Sequence, residues 1–475
     1  MLPFSAHIPF IHTCELDPAG HDLRLAGWLG HAGAVVLASG GAGLIQQRLV
    51  RHSYWLAEPT AEAVLDYDDP RDATAFLREA TAFVRSEKKR DDFPPFTGGL
   101  IGMASFELGL RLEGLKRRPF RIEGRKAWPE LLVRLYPGVL VFDHVQGRLT
   151  AIGRGTSPDA ARAACDHIAA LYNATPETQY SSDPFVDSPL RLETPDQVHE
   201  DKVSALVQQI HAGDLFQANL ARGWTGMLRG GATPADVMAG LQTSGPAPFG
   251  AALMMDDRAI VSNSPERFIA LDADGRLETR PIKGTRPRGD TLEADAALAA
   301  ELSASAKDCA ENLMIVDLMR HDLSRVAQVG SVAVPALNAL ESYANVHHLV
   351  STVTAQLSPG CTAADVLGAT LPPGSVSGAP KVQAMKVISE MEAARGPYCG
   401  ALFYIDAGGA MDSSVLIRTI AFERDESDRW HLRAAAGGGI VADSDPIAER
   451  IETETKLSLI RKVLEGAPRT APRTA

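Results

Sequence analysis

Apolar runs closed by Gly, Pro and polar turn residues mark the first third of the chain. Gly33–Ser39, residues 131–142 and residues 148–153 have this pattern, which predicts buried strands. Over residues 71–86 the apolar positions follow a helical period instead, and a second helical pattern runs from Ala160 to Tyr172. From Thr175 to Pro195 the periodicity stops and Pro, Ser, Thr and Asp accumulate, as in a linker. Periodicity returns at Gln197–His211, where Val198, Val203, Leu206, Val207 and Ile210 share a helical face that ends at Ala212-Gly213-Asp214. Further strands are expected at 258–262, 267–271, 400–405, 414–422 and 431–436, and helices near 291–304, 307–324, 379–394 and 446–464.

These elements divide the chain into an N-terminal α+β lobe (1–174), a linker (175–195), a second lobe (196–465) and a low-complexity tail (466–475). Strands and helices do not alternate one for one. An α+β fold with large mixed or antiparallel sheets flanked by helices is therefore expected, rather than a doubly wound parallel sheet. The length of 475 residues supports two lobes, because a single hydrophobic core stops growing at roughly 250–300 residues.

Composition narrows the classes of function. With 45% hydrophobic and 22% charged residues the chain is an ordinary folded protein. A net charge of -12 opposes binding to nucleic acids and anionic membranes. No apolar run approaches the ~20 residues of a membrane helix, and the first twenty residues lack a basic-then-apolar leader, so a cytoplasmic location is expected. Five cysteines without a C-x-x-C spacing suit reduced thiols better than a disulfide framework or a zinc site.

Several local patterns carry chemistry. Pro372-Pro373-Gly374-Ser375-Val376-Ser377-Gly378 feeds a helix start, a place where free N–H groups attract an anion, although an ordinary capped helix has the same pattern. Gly437-Gly438-Gly439 closes a strand and precedes a helix on which Glu449, Glu452 and Lys456 share a face. That face is either a solvated ion-pair stripe or the edge of a Mg2+ site. Glu311 opens a markedly apolar helix, with Lys307 four residues earlier as a surface partner. Arg418 interrupts an apolar strand and must be paired or face a cleft, where it would fork a carboxylate. Lys283 lies between Pro281 and Gly284 beside Arg280 and Arg286. Those cations disfavour its protonation, and a neutral lysine is a nucleophile; a solvated lysine is the alternative.

Together these segments resemble the chorismate-utilising enzymes. The resemblance rests on Ser264-Pro265-Glu266, Pro281-Ile282-Lys283-Gly284-Thr285-Arg286, Ala310 to Asp322, Val346-His347-His348-Leu349, Pro373 to Lys381, Ile417-Arg418-Thr419 and Gly437 to Glu452. They span about residues 195–462, and Gly98-Gly99-Leu100-Ile101-Gly102 adds a weaker match in the first lobe. The resemblance implies a cleft for chorismate and Mg2+, with Glu311 and Glu452 as metal ligands and Glu449 beside them. Arg418, the backbone of Gly437, Gly438 and Gly439, Lys456, Gln217 and Thr285 would contact the substrate. His348 would sit near the departing hydroxyl, and Glu266 would be the acid that protonates it.

Two positions separate the branches of this family. Members that add water carry a lysine where this chain has Gln217, which disfavours isochorismate formation. Lysine at position 283 resembles the aminodeoxychorismate synthase branch, in which it acts as a covalent nucleophile, whereas anthranilate synthases usually have Ala there. The implied reaction is Mg2+-dependent amination of chorismate on the route to 4-aminobenzoate and folate. No cysteine lies in a glutaminase nucleophile motif, so ammonia must come from a separate subunit or from solution, and the resemblance implies a glutamine amidotransferase subunit in a heterodimer. Anthranilate synthase component I is the nearest alternative, and a catalytically silent chorismate-binding or regulatory subunit is one of another class. His321, Met103, Phe106 and Phe403 depart from residues common in the family.

Overall fold

The computed structural model describes residues 8–40, 51–82, 93–179, 183–342 and 346–466. Residues 467–475 of the expected tail lie outside these segments, as do residues 83–86 of the expected helix 71–86, which spans Ala73–Thr81. Among the described residues, no helix is long and apolar enough to cross a membrane, and all five cysteines are free thiols.

Two large antiparallel sheets, of twelve and ten strands, form the centre of the molecule. Val35, Leu56, Val141 and Ile260 of the first meet Ile101, Met103, Leu132 and Leu402 of the second in one apolar cluster, so the sheets lie face to face. Helices Pro158–Ala174, Pro234–Ser244 and Pro446–Glu465 pack on the outer face of the twelve-stranded sheet. Helix Ala306–Ser324 covers the outer face of the other, with Ala363–Thr370 packed against it, while Lys381–Met391 lies against Gln217–Met227 at the end of the twelve-stranded sheet. Strands from both sides of residues 175–195 enter both sheets, and Arg191–Leu192 within that segment pairs with Trp224 and Thr225.

This layering explains why the strands are continuous apolar runs. In Leu131–Tyr136, Leu131, Val133 and Leu135 face the helix side while Leu132 and Tyr136 face the other sheet. With both faces buried, no hydrophobic alternation survives. It also accounts for two errors in the expected elements. The run 131–142 is two strands, Leu131–Tyr136 and Gly138–Asp143, in different sheets. Between them stands Pro137, which has no N–H to offer a ladder.

The run 414–422 divides in the same way, into Met411–Val415 and Thr419–Arg424. Its neighbour crosses between the sheets in step, from Arg258–Ser264 to Arg267–Leu271 through Pro265 and Glu266. The two crossings are tied together: Val415 N–H donates to Glu266 O (3.1 Å) and Asn263 N–H to Arg418 O (3.0 Å). Arg418 is thus at a corner with φ +50°, not inside an apolar strand. A non-glycine residue with positive φ is uncommon, and here the corner turns both Arg418 and Glu266 out of the ladders.

Candidate active site

Lys283 lies on strand Ile282–Pro287, which pairs with Val346–Gln356. The register slips between Lys283, opposite Leu349, and Thr285, opposite His348. Gly284 fills this bulge with φ +68°, and a Cβ there would stand 2.8 Å from Leu302 Cδ1 and 3.0 Å from Asp308. A bulge re-aims the side chains beside it. Lys283 Nζ comes 3.5 Å from where a Cβ on Gly439 would lie, and its charged neighbours are Glu311, Lys456, Glu266 and Glu452. Burial holds its pKa below the ordinary lysine value; Glu311, Glu266 and Glu452 oppose the shift and Lys456 reinforces it.

The expected source of that shift was different. Arg280 pairs with Glu341, and Arg286 pairs with Glu301 (2.8 Å) and Asp308 (3.4 Å). These sequence neighbours are neutralised locally, and the effective cation comes from a distant helix.

Glu266 is only 6% exposed. Burial pushes its carboxyl up to about 7, against the pull of the Ser375 hydroxyl, Lys283, Lys456 and the Ile282 N–H. Ser375 belongs to the Gly/Ser loop whose anion-binding capacity was left open by the sequence. Lys381, at the start of the helix that follows the loop, is engaged elsewhere, donating to Asp322, to Thr370 O (2.8 Å) and to Pro372 O (3.1 Å). It anchors the loop, and removal of one partner of such a buried pair costs about 3–5 kcal/mol.

The glycine run ends strand Trp430–Ile440 opposite Gln217–Met227. A Cβ on Gly438 would stand 2.6 Å from Glu449 Oε2 and 3.5 Å from Glu452 Oε1, so the absent side chain leaves room for these carboxylates. Both come from helix Pro446–Glu465, which is started by Pro446 and capped by Asp445 on Ala448 N–H (2.8 Å). Ser444 Oγ donates to Glu449 Oε1 (2.7 Å), while Oε2 is buried without a partner.

Burial raises the pKa of Glu449 and of Glu311, and Glu452 adds its repulsion to both. Burial also opposes ionisation of Glu452, but Lys456 at 2.5 Å holds its carboxyl below the usual range. Lys456 donates as well to Gly437 O (2.8 Å). The surface pairing considered for Glu311 is present only as a 3.9 Å approach of Lys307. No cluster of three or more His, Cys, Asp or Glu side chains among the described residues closes on a metal centre. Mg2+ does not require one, since it is commonly held by one or two carboxylates with water and substrate oxygens in the other positions. Mutually repelling carboxylates and an orphaned Glu449 oxygen fit such an ion.

Gln217 is 1% exposed and neither atom of its carboxamide has a partner; a Cβ on Gly439 would overlap its Nε2. His348 Nδ1 lies 2.9 Å from Thr285 Oγ1, and burial lowers its pKa to about 4, which keeps the ring neutral. Arg418 is half-buried and acts electrostatically on His348; burial lowers its own pKa. No ion pair engages it among the described residues, so the structural pairing considered for it is not found.

Lys283, Glu266, Gln217, Glu311, Glu449, Glu452, Lys456 and the three glycines are thus linked through direct or electrostatic contacts. Thr285, His348 and Arg418 form an adjoining group joined to Lys283 through the paired strands. Sequence reasoning missed Ser375 as a partner of Glu266, and no spacing signal could have found it. It also missed Asn219, two residues after Gln217, which strand alternation puts on the same face. The departures Met103, Phe106 and Phe403 lie in apolar clusters and His321 is exposed, so none surrounds Lys283. A separate cavity of about 410 Å3, lined by Ser39, Tyr54, Arg267 and Asp412, contains none of the site residues. Arg267 there is already paired with Asp412 (2.7 Å) and Glu278 (3.0 Å).

Comparison with known proteins agrees with this geometry. The profile of the chorismate binding enzymes matches residues 43–462. Aminodeoxychorismate synthase component 1 of Klebsiella aerogenes is 41% identical over 377 residues, 78% of either chain. Anthranilate synthase component 1 of Arthrobacter globiformis is 36% identical over 428 residues, covering 85% of this chain and 77% of that one. The crystal structure of anthranilate synthase component I from Streptococcus pneumoniae TIGR4 superposes with a TM-score of 0.74 at 29% identity, over 86% of this chain and 92% of the other.

Proposed function

Since this chain belongs to the chorismate binding enzymes and is a chorismate-utilising enzyme, we propose that it aminates chorismate to 4-amino-4-deoxychorismate. The observation that carries this reading is the half-buried Lys283 amine, held below its ordinary pKa and within electrostatic reach of Glu266. Relatives bearing the name aminodeoxychorismate synthase component 1 support it.

The neutral Lys283 amine attacks C2 of the ring while the bond from C4 to its hydroxyl breaks and the double bonds shift. Glu266, protonated below about pH 7, supplies the proton with which that hydroxyl leaves as water. Ammonia then attacks C4, the bond between Lys283 and C2 breaks, and the double bonds return. Arg418 and the backbone of Gly437 to Gly439 hold substrate carboxylates, and His348, neutral and oriented by Thr285, flanks the departing hydroxyl. Mg2+, held by Glu311 and Glu452 with Glu449 beside them, would supply charge neutralisation at the ring carboxylate. A separate amidotransferase subunit supplies ammonia, in keeping with the component 1 names of the relatives.

Incubation with chorismate, Mg2+ and ammonium tests the reaction. The expected product yields 4-aminobenzoate only after a pyruvate-releasing lyase is added. Prompt anthranilate fluorescence without the lyase would assign the chain to the anthranilate branch, and no turnover would make it a silent binding subunit. Glu311→Gln removes one negative charge from the acidic group. The Mg2+ concentration for half-maximal rate should rise by about 10–100-fold, as for other losses around metal sites. An unaltered Mg2+ titration would exclude Glu311 from the ligands.

A further inference from the structure

Asn219 lies directly opposite Gly439, the glycine nearest the Lys283 amine. It is 6% exposed, its Oδ1 has no hydrogen-bond partner, and a Cβ on Gly437 would lie 2.9 Å from that oxygen. Its main chain, in contrast, is fully engaged. Asn219 N–H donates to Ser377 O (2.7 Å), and Asn219 O accepts from Arg395 Nη2 (2.7 Å). Arg395 is in turn fixed by Glu392 at 2.9 Å. The strand is thus clamped while one side-chain acceptor is left open beside the glycine run.

Gln217, two residues earlier, faces the same way with both amide atoms open. Their Cα atoms are about 7 Å apart on an extended strand, so both carboxamide oxygens can reach one small molecule between them. A buried acceptor without a donor is costly and calls for a donor from the ligand. Chorismate carboxylates and its ether oxygen only accept. Its C4 hydroxyl can donate only until it leaves as water, and in the proposed reaction it faces Glu266 and His348. Ammonia has three N–H donors and keeps its lone pair free for attack when two of them are engaged.

We propose that Asn219 is a further substrate-contacting residue, whose carboxamide oxygen seats, together with Gln217, the ammonia that attacks the ring. This deepens the amination reading and rests on it. The test is steady-state kinetics of Asn219→Ala with chorismate and ammonium varied separately, alongside thermal unfolding and chorismate binding measured without ammonium. The apparent KM for ammonia should rise about 10-fold, the loss expected for one hydrogen bond. The KM and affinity for chorismate should stay within about twofold of the parent, since Asn219 contacts the ammonia and not chorismate. Asn219→Ser, which retains an oxygen acceptor, should recover part of the ammonia affinity, and it carries the test under the same criteria if the alanine variant does not fold. An unchanged ammonia KM, or a loss confined to chorismate binding, overturns the proposal. Regiochemistry is read independently from the product: anthranilate would overturn the proposed function while the ammonia KM still decides the role of Asn219.

Discussion

Lys283→Ala is expected to lower formation of the 4-amino product on the order of 10³-fold, the scale of losing a group that acts as a unit with its partners. The variant should retain the fold, because the Lys283 amine has no hydrogen-bond or ion-pair partner among the described residues. Its neighbours Glu311, Glu266 and Glu452 act on it only electrostatically. With the amine gone, ammonia gains a path to C2, so some anthranilate should appear. A matching experiment uses the parent protein: chorismate and Mg2+ without ammonium, followed by intact mass, should reveal a covalent adduct that maps to residue 283. Unchanged activity in the alanine variant, or an adduct absent under conditions that support turnover, would remove the covalent role. Lys283→Arg should be equally inactive, since a guanidinium remains protonated and cannot attack.

Much of this architecture was readable from local signals. Helices Ala306–Ser324 and Pro446–Glu465 fall where periodicity, Pro446 and the capping residues put them. Lys283 stands out in the sequence because a proline and a glycine frame it, and that glycine fills the bulge beside it. What escaped is non-local. Leu131 to Phe142 and Ser414 to Phe422 each have one apolar pattern in the sequence, interrupted only by residues such as Pro137 and Arg418, yet each changes sheets partway. Both faces of every such strand are buried, which erases the period that would betray the change. The charges beside Lys283 misled for a related reason: Arg280 and Arg286 are adjacent in sequence but spent on Glu341, Glu301 and Asp308. Lys456, 173 positions later, is the cation that acts on it. Ser375 is a single hydroxyl in a loop and gains meaning only when Glu266 arrives from a sheet corner.

Glu266→Gln should reduce kcat/KM by about 10²–10⁴-fold, the usual contribution of a positioned general acid. Glutamine keeps the size and can still accept the Ile282 N–H and the Ser375 hydroxyl, so chorismate affinity should change little. The pH profile supplies a sharper readout. Burial raises the Glu266 pKa to about 7, so the proton donor is present below that value and is lost as pH rises through it, which gives a falling alkaline limb. Lys283 must be neutral to attack. Its lowered pKa brings the opposite limb, in which rate rises with pH, down from the ordinary lysine range. Because the two groups act on each other, the limbs report apparent values of the pair. In Glu266→Gln the carboxyl is gone, so the falling limb near pH 7 should disappear while the rising limb remains. If that falling limb persists with near-normal rate, some other group protonates the hydroxyl, and the crossing of the sheets at Pro265 and Glu266 has only a structural purpose.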